Sequence, residues 1–580
     1  MRKIKELQTS IKWGLKELSP KGYLSLCLYI LLGLFQSISI LLLIPLLTVS
    51  DSNESILKNN NPLITQALFF FKKIGIGLKF ENLLFYFITI LTLDSLIKYY
   101  IYIIRSKECQ GIENNLRKSI HHSYIDMEWA DIAKEKSSDI LNLITKEISR
   151  VASFVSSLIQ FIGTIIIALF QLLIAFYISF DTTCLVIITI TIILFIQKKT
   201  LLNSLSNGKR NISFSKVFQN NLIENFQNIK LVKSQYLGET QKIKLEQFSN
   251  DIFKNRLSFE LDKAKTSLIY DLGTALLLCF FLYLGFVVFS IPTLNLILLV
   301  VIFSRILPAM KSSIENLQTL LNLAPTINEI DNYLVTFLNK KNKRANLKSK
   351  QYQLKNKIEL CNIQFSYSNV KMILNNLSLV IEKNSVVVIT GESGTGKTTL
   401  ADILTGLLIP SKGTFKIDDK EISEIGLNNW GNSIGYMTQE RFLFHTSIKN
   451  NMLWAKNDAT DNEIWEALKL ANVDEYILGL KSGIDTIVGD RGILISGGQR
   501  QRIALAMTLV RKPSLLILDE ATNELDEKNE TEILDEILKL KKSTTIFIIT
   551  HKLSTIAKAD HSYFLKNGEL TKIQPTKSNK

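Results

Sequence analysis

Six apolar stretches, all before about residue 325, constrain this 580-residue chain more than any other feature. They run over about 23–49, 83–104, 152–177, 182–200, 268–290 and 293–315. A helix rises 1.5 Å per residue, so each is long enough, or nearly so, to cross ~30 Å of hydrocarbon. A tight turn at Asp181 separates the third from the fourth, and one at Pro292 separates the fifth from the sixth. Each pair is expected to be a helical hairpin with its turn on one side of a membrane. The first stretch is too long for a cleavable signal, and no small-residue cleavage site follows it.

The formal net charge of +15 admits a nucleic-acid binder, but its distribution argues otherwise. Arg2, Lys3, Lys5, Lys12, Lys16 and Lys21 crowd the N-terminus, and further basic residues fill 198–265. The breaks near 179–183 and 290–293 carry no Lys or Arg. This alternation follows the positive-inside rule, which places the N-terminus in the cytoplasm and the hairpin turns outside. No nucleic-acid partner is expected. The five cysteines are scattered without a paired spacing, which disfavours a disulfide framework or a zinc site and suits a reducing cytoplasm.

Two long polar segments, about 105–150 and 201–265, fall on the cytoplasmic side. Ile140, Leu141, Leu143, Ile144 and Ile148 in the first, and Leu222, Ile223, Phe226, Ile229 and Val232 in the second, recur at helical spacing. The spans are therefore expected to continue as helices far beyond the membrane. The expected division is a membrane domain over 1–335, a Lys- and Asn-rich linker over 336–351, and a globular domain over 352–580. The last opens with strands at Ile358–Phe365 and Ser385–Thr390, the second a β-branched run suited to a central strand.

That buried run leads into Gly391-Glu392-Ser393-Gly394-Thr395-Gly396-Lys397-Thr398, a match to G-x-x-x-x-G-K-[ST]. Glycines let backbone N–H groups turn inward around a β-phosphate, Lys397 adds a cation at the β- and γ-phosphates, and Thr398 offers its hydroxyl to Mg²⁺. Further on, Leu515-Leu516-Ile517-Leu518 ends in Asp519-Glu520. Asp519 suits the Mg²⁺ hydration shell, and Glu520 suits polarisation of an attacking water. A third run is Ile495-Ser496-Gly497-Gly498-Gln499. Here the sequence resembles the ABC transporter family, whose signature is LSGGQ, with Ile in place of the first Leu.

The resemblance implies a fold and a set of roles. The fold is a six-helix transmembrane domain of the type I exporter, or type IV ABC, kind, with long cytoplasmic extensions, joined to an α/β P-loop nucleotide-binding domain. The cofactors implied are ATP and Mg²⁺. Tyr367 matches the aromatic that stacks on adenine, and Thr399 follows the phosphate loop as a further nucleotide contact. Gln439 matches the glutamine that reaches Mg²⁺, and His551 the histidine that bonds the γ-phosphate. Gly489-Asp490-Arg491-Gly492 resembles a loop typical of exporters. Asn523-Glu524-Leu525-Asp526 keeps Asp526 and departs from Ser-Ala-Leu-Asp at its first two positions. In this family the phosphate loop of one subunit faces Ser496, Gly497, Gly498 and Gln499 of another, so a second copy of the chain is the expected partner, with a heterodimer as the alternative.

Met127–Asp131 resembles the first coupling helix, and residues 221–231 the second. The mechanism implied is ATP-driven alternating access in a bacterial inner membrane. Charges within spans are costly, so each is a candidate contact for the cargo. Lys98 and Asp94 lie at i, i+4 in the second span, Asp271 opens the fifth, and Arg305 lies in the sixth with no acidic residue spaced to pair with it. An Arg facing a cavity suits a phosphate or carboxylate. The external loop 50–82 contains Pro62–Lys73, which reads as a short apolar helix at the outer face. Such a helix with basic cavity residues is similar to bacterial lipid-linked oligosaccharide flippases. The expected cargo is an amphipathic lipid or lipid-linked glycan, with peptides or hydrophobic drugs as alternatives and an ATP-regulated channel or channel regulator as the alternative class. No peptidase-like sequence precedes the first span, which disfavours a leader-cleaving peptide exporter.

Overall fold

The computed structural model describes residues 2–42, 46, 80–178, 180–288, 293–339, 351–367, 372–520 and 527–573. It divides into two compact units, Met1–Ile125 with Glu135–Asn339, and Asp126–Lys134 with Lys340–Lys580.

The first unit is helical. Its elements are α1 (Arg2–Glu17), α2 (Pro20–Leu41) and α3 (Phe80–Ile125), followed in the chain by α4 (Trp129–Ile132), which belongs to the second unit. The helix α5 (Ser137–Asn142) runs through a π-turn at Leu143–Glu147 into α6 (Ile148–Ile178). Then come α7 (Phe180–Gln227), α8 (Ile229–Ser234), α9 (Gly238–Tyr283) and α10 (Thr293–Asn339). Pro20 and the Ser19 cap start α2, and Ser19 also donates through its N–H and hydroxyl to Glu108 of α3, both at 2.6 Å.

The helices α3, α7, α9 and α10 hold 46 to 48 residues each, roughly 70 Å, more than twice a hydrocarbon core. Among the described residues, five helices are long and apolar enough to cross a membrane: Pro20–Leu41, Phe80–Ile125, Ser137–Tyr177, Val186–Gln227 and Gly238–Val287. The sixth apolar stretch lies on α10. Outward faces carry Phe85, Tyr99, Tyr100, Tyr102, Phe195, Leu276 and Phe286, all more than half exposed. A surface this apolar suits lipid and not water. The interior is packed by Tyr270, Leu277, Phe281, Leu299, Ile302, Phe303 and Ile306, with the Phe281 and Phe303 rings edge-to-face at 5.2 Å.

Pro308 and Pro325 interrupt the backbone ladder of α10. Beside each proline a hydroxyl ties a neighbouring helix to α10: Tyr270 donates to the Leu307 carbonyl at 2.9 Å, and Ser10 to that of Ala324 at 3.2 Å. Two boundaries differ from the sequence reading. The helix α10 continues through 336–339, because its apolar pattern reaches Phe337, which is fully buried. The short helix expected at 221–231 is α8, while 221–227 are the last turns of α7. The chain leaves helical geometry at Asn228 and again near Tyr236, which is 94% exposed with φ 55°. Most of the external loop, residues 51–79, lies outside the described residues, as does 340–350 of the linker and Pro292.

The second unit holds β1 (Lys357–Phe365), β2 (Leu374–Glu382), β3 (Val386–Thr390), α11 (Lys397–Thr405), β4 (Lys412–Ile417), β5 (Lys420–Glu421), β6 (Ile434–Met437), α12 (Ile448–Ala455) and α13 (Asp461–Leu470). It continues with α14 (Gly497–Leu509), β7 (Leu515–Asp519), β8 (Thr545–Ile549), β9 (His561–Lys566) and β10 (Glu569–Ile573). A smaller antiparallel sheet has the order β2-β1-β4-β5, and a larger one β10-β9-β3-β8-β7-β6. In the larger sheet β9, β3, β8, β7 and β6 run parallel. Its β3, β7 and β8 are buried at every position, which explains their unbroken apolar runs. The segment Asp126–Lys134 groups with this unit, and Ala130 packs against the core that contains Phe415 and Trp430.

A close approach in the first unit gives a test. A Cβ on Gly208 of α7 would collide with the backbone carbonyl of Asn322 in α10, whereas one on Gly111 of α3 would meet nothing within 4 Å. Gly208→Ala is expected to destabilise by about 1–3 kcal/mol, because backbone cannot step aside. Gly111→Ala should be neutral or stabilise by up to ~1 kcal/mol. Thermal unfolding of the two variants in detergent checks the contrast.

Candidate functional site

Parallel strands deliver their following residues to one edge of a sheet, where ligands of open α/β folds bind. Here β3 leads into Gly391–Thr398, β6 into Gln439, β7 ends at Asp519 with Glu520 next, and β8 leads into His551. Because β3, β8, β7 and β6 are neighbours, residues far apart in the chain meet at this edge.

The phosphate loop fits its expected ligand. Gly391 has φ +153°, and a Cβ there would strike the carbonyl of Leu565. Gly396 caps α11 at φ +104°, where a Cβ would press on Ile373. Both positions need glycine, and they wind the backbone around the start of α11, whose N-terminal N–H groups favour an anion. Lys397 lies within the turn, its ammonium donating to the carbonyls of Gly391 at 2.7 Å and Glu392 at 2.9 Å. Burial holds this ammonium below the ordinary lysine range, opposed by Glu520 and Asp519. A buried cation here, held by backbone carbonyls, suits a polyphosphate.

Thr398 donates its hydroxyl to Asp519 Oδ2 at 2.9 Å, so the two oxygens expected around a divalent cation are already adjacent. Burial raises the Asp519 carboxyl above its ordinary value. Glu520 sits at φ 50°, an uncommon backbone region for a residue with a side chain. Its N–H donates to the Ile549 carbonyl of β8 at 3.0 Å. Gln439 Nε2 donates to Glu520 Oε2 at 3.0 Å, and His551 Nε2 lies 3.7 Å from Oε1. The Tyr367 hydroxyl lies 3.3 Å from that of Thr399, which brings the expected adenine-stacking ring beside the loop helix.

Ser496 stands apart from this group. It caps α14 in a reciprocal box, accepting from the Gln499 N–H at 3.3 Å while Gln499 Oε1 accepts from the Ser496 N–H at 3.1 Å. The N-terminus of α14 at Gly497 and Gly498 is thereby pre-formed, and among the described residues no hydrogen bond joins it to the phosphate loop of the same chain. Asp526, with Asn523 and Glu524, lies outside the described residues.

The candidate cargo residues meet in a cavity of about 390 Å³ within the first unit. Asp94 and Lys98 do pair with each other, at 2.6 Å. Arg305 donates to the Ser39 hydroxyl at 2.9 Å and has no carboxylate within ion-pair distance among the described residues. Asp271 lies elsewhere, paired with Lys311 of α10 at 2.8 Å. Sequence reading missed two partners. Gln36 donates to Asp94 at 3.0 Å, and Gln171 donates to Gln36 at 3.2 Å. Gln171 is 1% exposed, and its Oε1 has no partner. The available signal was an amide inside an apolar span, which is as costly to leave unsatisfied as it is informative.

The sequence and the fold have counterparts. Residues 374–523 match the ABC transporter family. The heterocyst differentiation ATP-binding protein HepA of Nostoc is 27% identical over 79% of this chain and 76% of its own length. A multidrug resistance ABC transporter ATP-binding and permease protein of Lactococcus lactis is 38% identical, over 32% of each chain. Among solved structures, a bacterial Atm1-family ABC exporter with ATP bound superposes with a TM-score of 0.76 at 20% identity, covering 95% of both chains. That likeness is one of fold.

Beneath the phosphate loop, Asp402 of α11 is buried and accepts from the Tyr436 hydroxyl at 3.4 Å. Burial pushes its carboxyl up to about 6. The raised value makes the folded state bind this proton more tightly than the unfolded chain does. Its contribution is therefore favourable at low pH and is lost as pH rises from about 4 through about 6. Asp402→Asn removes that titration. Melting temperatures of wild type and variant should diverge in the variant's favour between pH 4 and 6 and run parallel above.

Proposed function

We infer that this chain, which belongs to the ABC transporter family, is one half of a homodimeric exporter in a bacterial inner membrane. It uses ATP hydrolysis to move an amphipathic anion, best matched by a lipid or lipid-linked glycan. The observation that supports this cargo is Arg305. It is a permanent cation in an apolar helix, with a neutral hydroxyl as its partner, beside the unpartnered amide oxygen of Gln171. An uncompensated guanidinium in a membrane cavity is expensive unless an anion visits it. The pairing of Lys98 with Asp94 leaves Lys98 a secondary contact.

The hydrolytic half works through side chains already assembled. Backbone N–H groups of Gly391–Thr398 and the Lys397 ammonium bind the β- and γ-phosphates, and Tyr367 stacks on the base. Thr398 and Asp519, with Gln439, would hold Mg²⁺, which would supply positive charge against that developing on the transferred phosphoryl group. Glu520 holds the attacking water and takes its proton, while Gln439 and His551 fix the carboxylate from either side. The α14 terminus at Ser496–Gly498 is aimed at the γ-phosphate held by the second copy, so each site is completed only in the dimer. Closure of the two cassettes is carried by Asp126–Lys134, which already packs with the nucleotide-binding unit.

Two measurements test the reading. Glu520→Gln is expected to bind ATP with wild-type affinity and to hydrolyse it at least about 100-fold more slowly. Hydrolysis at the wild-type rate would remove Glu520 from its role. Arg305→Ala is expected to abolish stimulation of ATPase activity by a polyprenyl-pyrophosphate lipid in nanodiscs. Undiminished stimulation would remove the support for an anionic cargo.

A further inference from the structure

A second cavity, of about 540 Å³, opens on the polar extensions of the helices and away from Arg305. Its walls come from the π-turn and first turns of α6, and from α7, α9 and α10. The charged lining is Lys146, Arg150 and Arg256 against the single carboxylate of Glu260. Asn211 and Asn255 add amides.

Among the described residues, only Arg150 of these three cations has a carboxylate partner. Glu147, fully buried behind the wall, accepts from Arg150 Nη1 at 2.9 Å and from the Thr326 hydroxyl at 3.3 Å. Arg150 Nη2 is buried with no hydrogen-bond partner. Lys146 donates to the neutral hydroxyl of Ser215 at 2.9 Å. Burial holds the Lys146 ammonium below the ordinary lysine range, and the neighbouring charge of Arg256 adds to the effect. Among the described residues, neither Lys146 nor Arg256 has a carboxylate within ion-pair distance. Three cations gathered in a partly buried concavity against one lining carboxylate suit a multiply charged oxyanion.

We propose that this cavity, lined by Lys146, Arg150 and Arg256, is a second anion site that binds a phosphate-bearing compound. The ammonium of Lys146 and the guanidinium of Arg256 meet phosphate oxygens, Arg150 adds its charge from the wall while it holds Glu147, and the amides of Asn211 and Asn255 meet hydroxyl groups attached to them. Roughly 30 Å of α6 separates Arg150 from Gln171, about one hydrocarbon thickness, so the two basic cavities occupy different levels of the same helix. The site stands independently of the cargo reading, because its cations lie outside the apolar spans.

The test uses the full chain in nanodiscs with a non-hydrolysable ATP analogue at saturation, so that the phosphate loop is filled. Binding of radiolabelled inorganic pyrophosphate and of a polyprenyl-pyrophosphate lipid is measured for wild type, Lys146→Gln/Arg256→Gln, Arg256→Lys and Arg305→Ala. The double variant is expected to bind at least one probe about tenfold more weakly, with Arg256→Lys close to wild type. Loss with the lipid alone identifies a membrane-borne headgroup, and loss with pyrophosphate alone a free anion; either supports the site. The roughly tenfold loss of probe binding caused by Lys146→Gln/Arg256→Gln should persist in an Arg305→Ala background, which separates this site from the cargo cavity. Affinity for both probes unchanged in the double variant overturns the proposal.

Discussion

Helices of 46 to 48 residues set against a hydrocarbon core only ~30 Å deep impose the division on which the rest depends. About half of each helix must live in lipid and half in water. The lipid half needs an outward face of Phe, Tyr, Ile and Leu, and it tolerates polar groups only where they converge, as at Arg305, Asp94, Gln36 and Gln171. The watery half has no such restriction. It carries ion pairs such as Lys216 with Glu329, and it walls a cavity crowded with cations.

The nucleotide-binding unit meets a different constraint by a comparable device. Strands β3, β7 and β8 are buried throughout, so the only place they can present chemistry is at their ends. Apolar interior and reactive rim are consequences of one another. The rim residues then hold each other: Thr398 with Asp519, and Glu520 between Gln439 and His551. Glu520 keeps a backbone angle that its side chain disfavours, a strain tolerated because its N–H is tied to β8 and its carboxylate to Gln439.

Much of this was legible in the chain because it is local. The phosphate loop, the acidic end of β7 and the Ser496–Gln499 turn are contiguous runs whose chemistry follows from their spacing. The spans are contiguous as well. What was not legible depends on three-dimensional neighbours. No run of residues says that β8 lies between β3 and β7, yet that order is what brings His551 to Glu520. Gln36 and Gln171 read as isolated amides in apolar sequence, and their meeting with Asp94 requires α2, α3 and α6 to converge. The short helix α8 was misplaced because the apolar spacing of α7 continues to Gln227, and the break at Asn228 has no proline or glycine to announce it. Asp402 gave no signal at all, since an acid inside an exposed helix and one buried beneath it look alike in sequence.

The membership of Asp126–Lys134 in the nucleotide-binding unit has a consequence for biogenesis. Ala130 leaves the ribosome more than 200 residues before the strands that cover it. At synthesis rates of about 5–20 residues per second, that segment waits roughly 10–40 s for its partners. During that interval α3 and α6 are inserted and joined at their base by a loop with nothing to rest on. The order of translation thus makes the membrane half wait for the nucleotide-binding half, and a ribosome that stalls within the linker would leave an inserted chain with the segment Asp126–Lys134 bare.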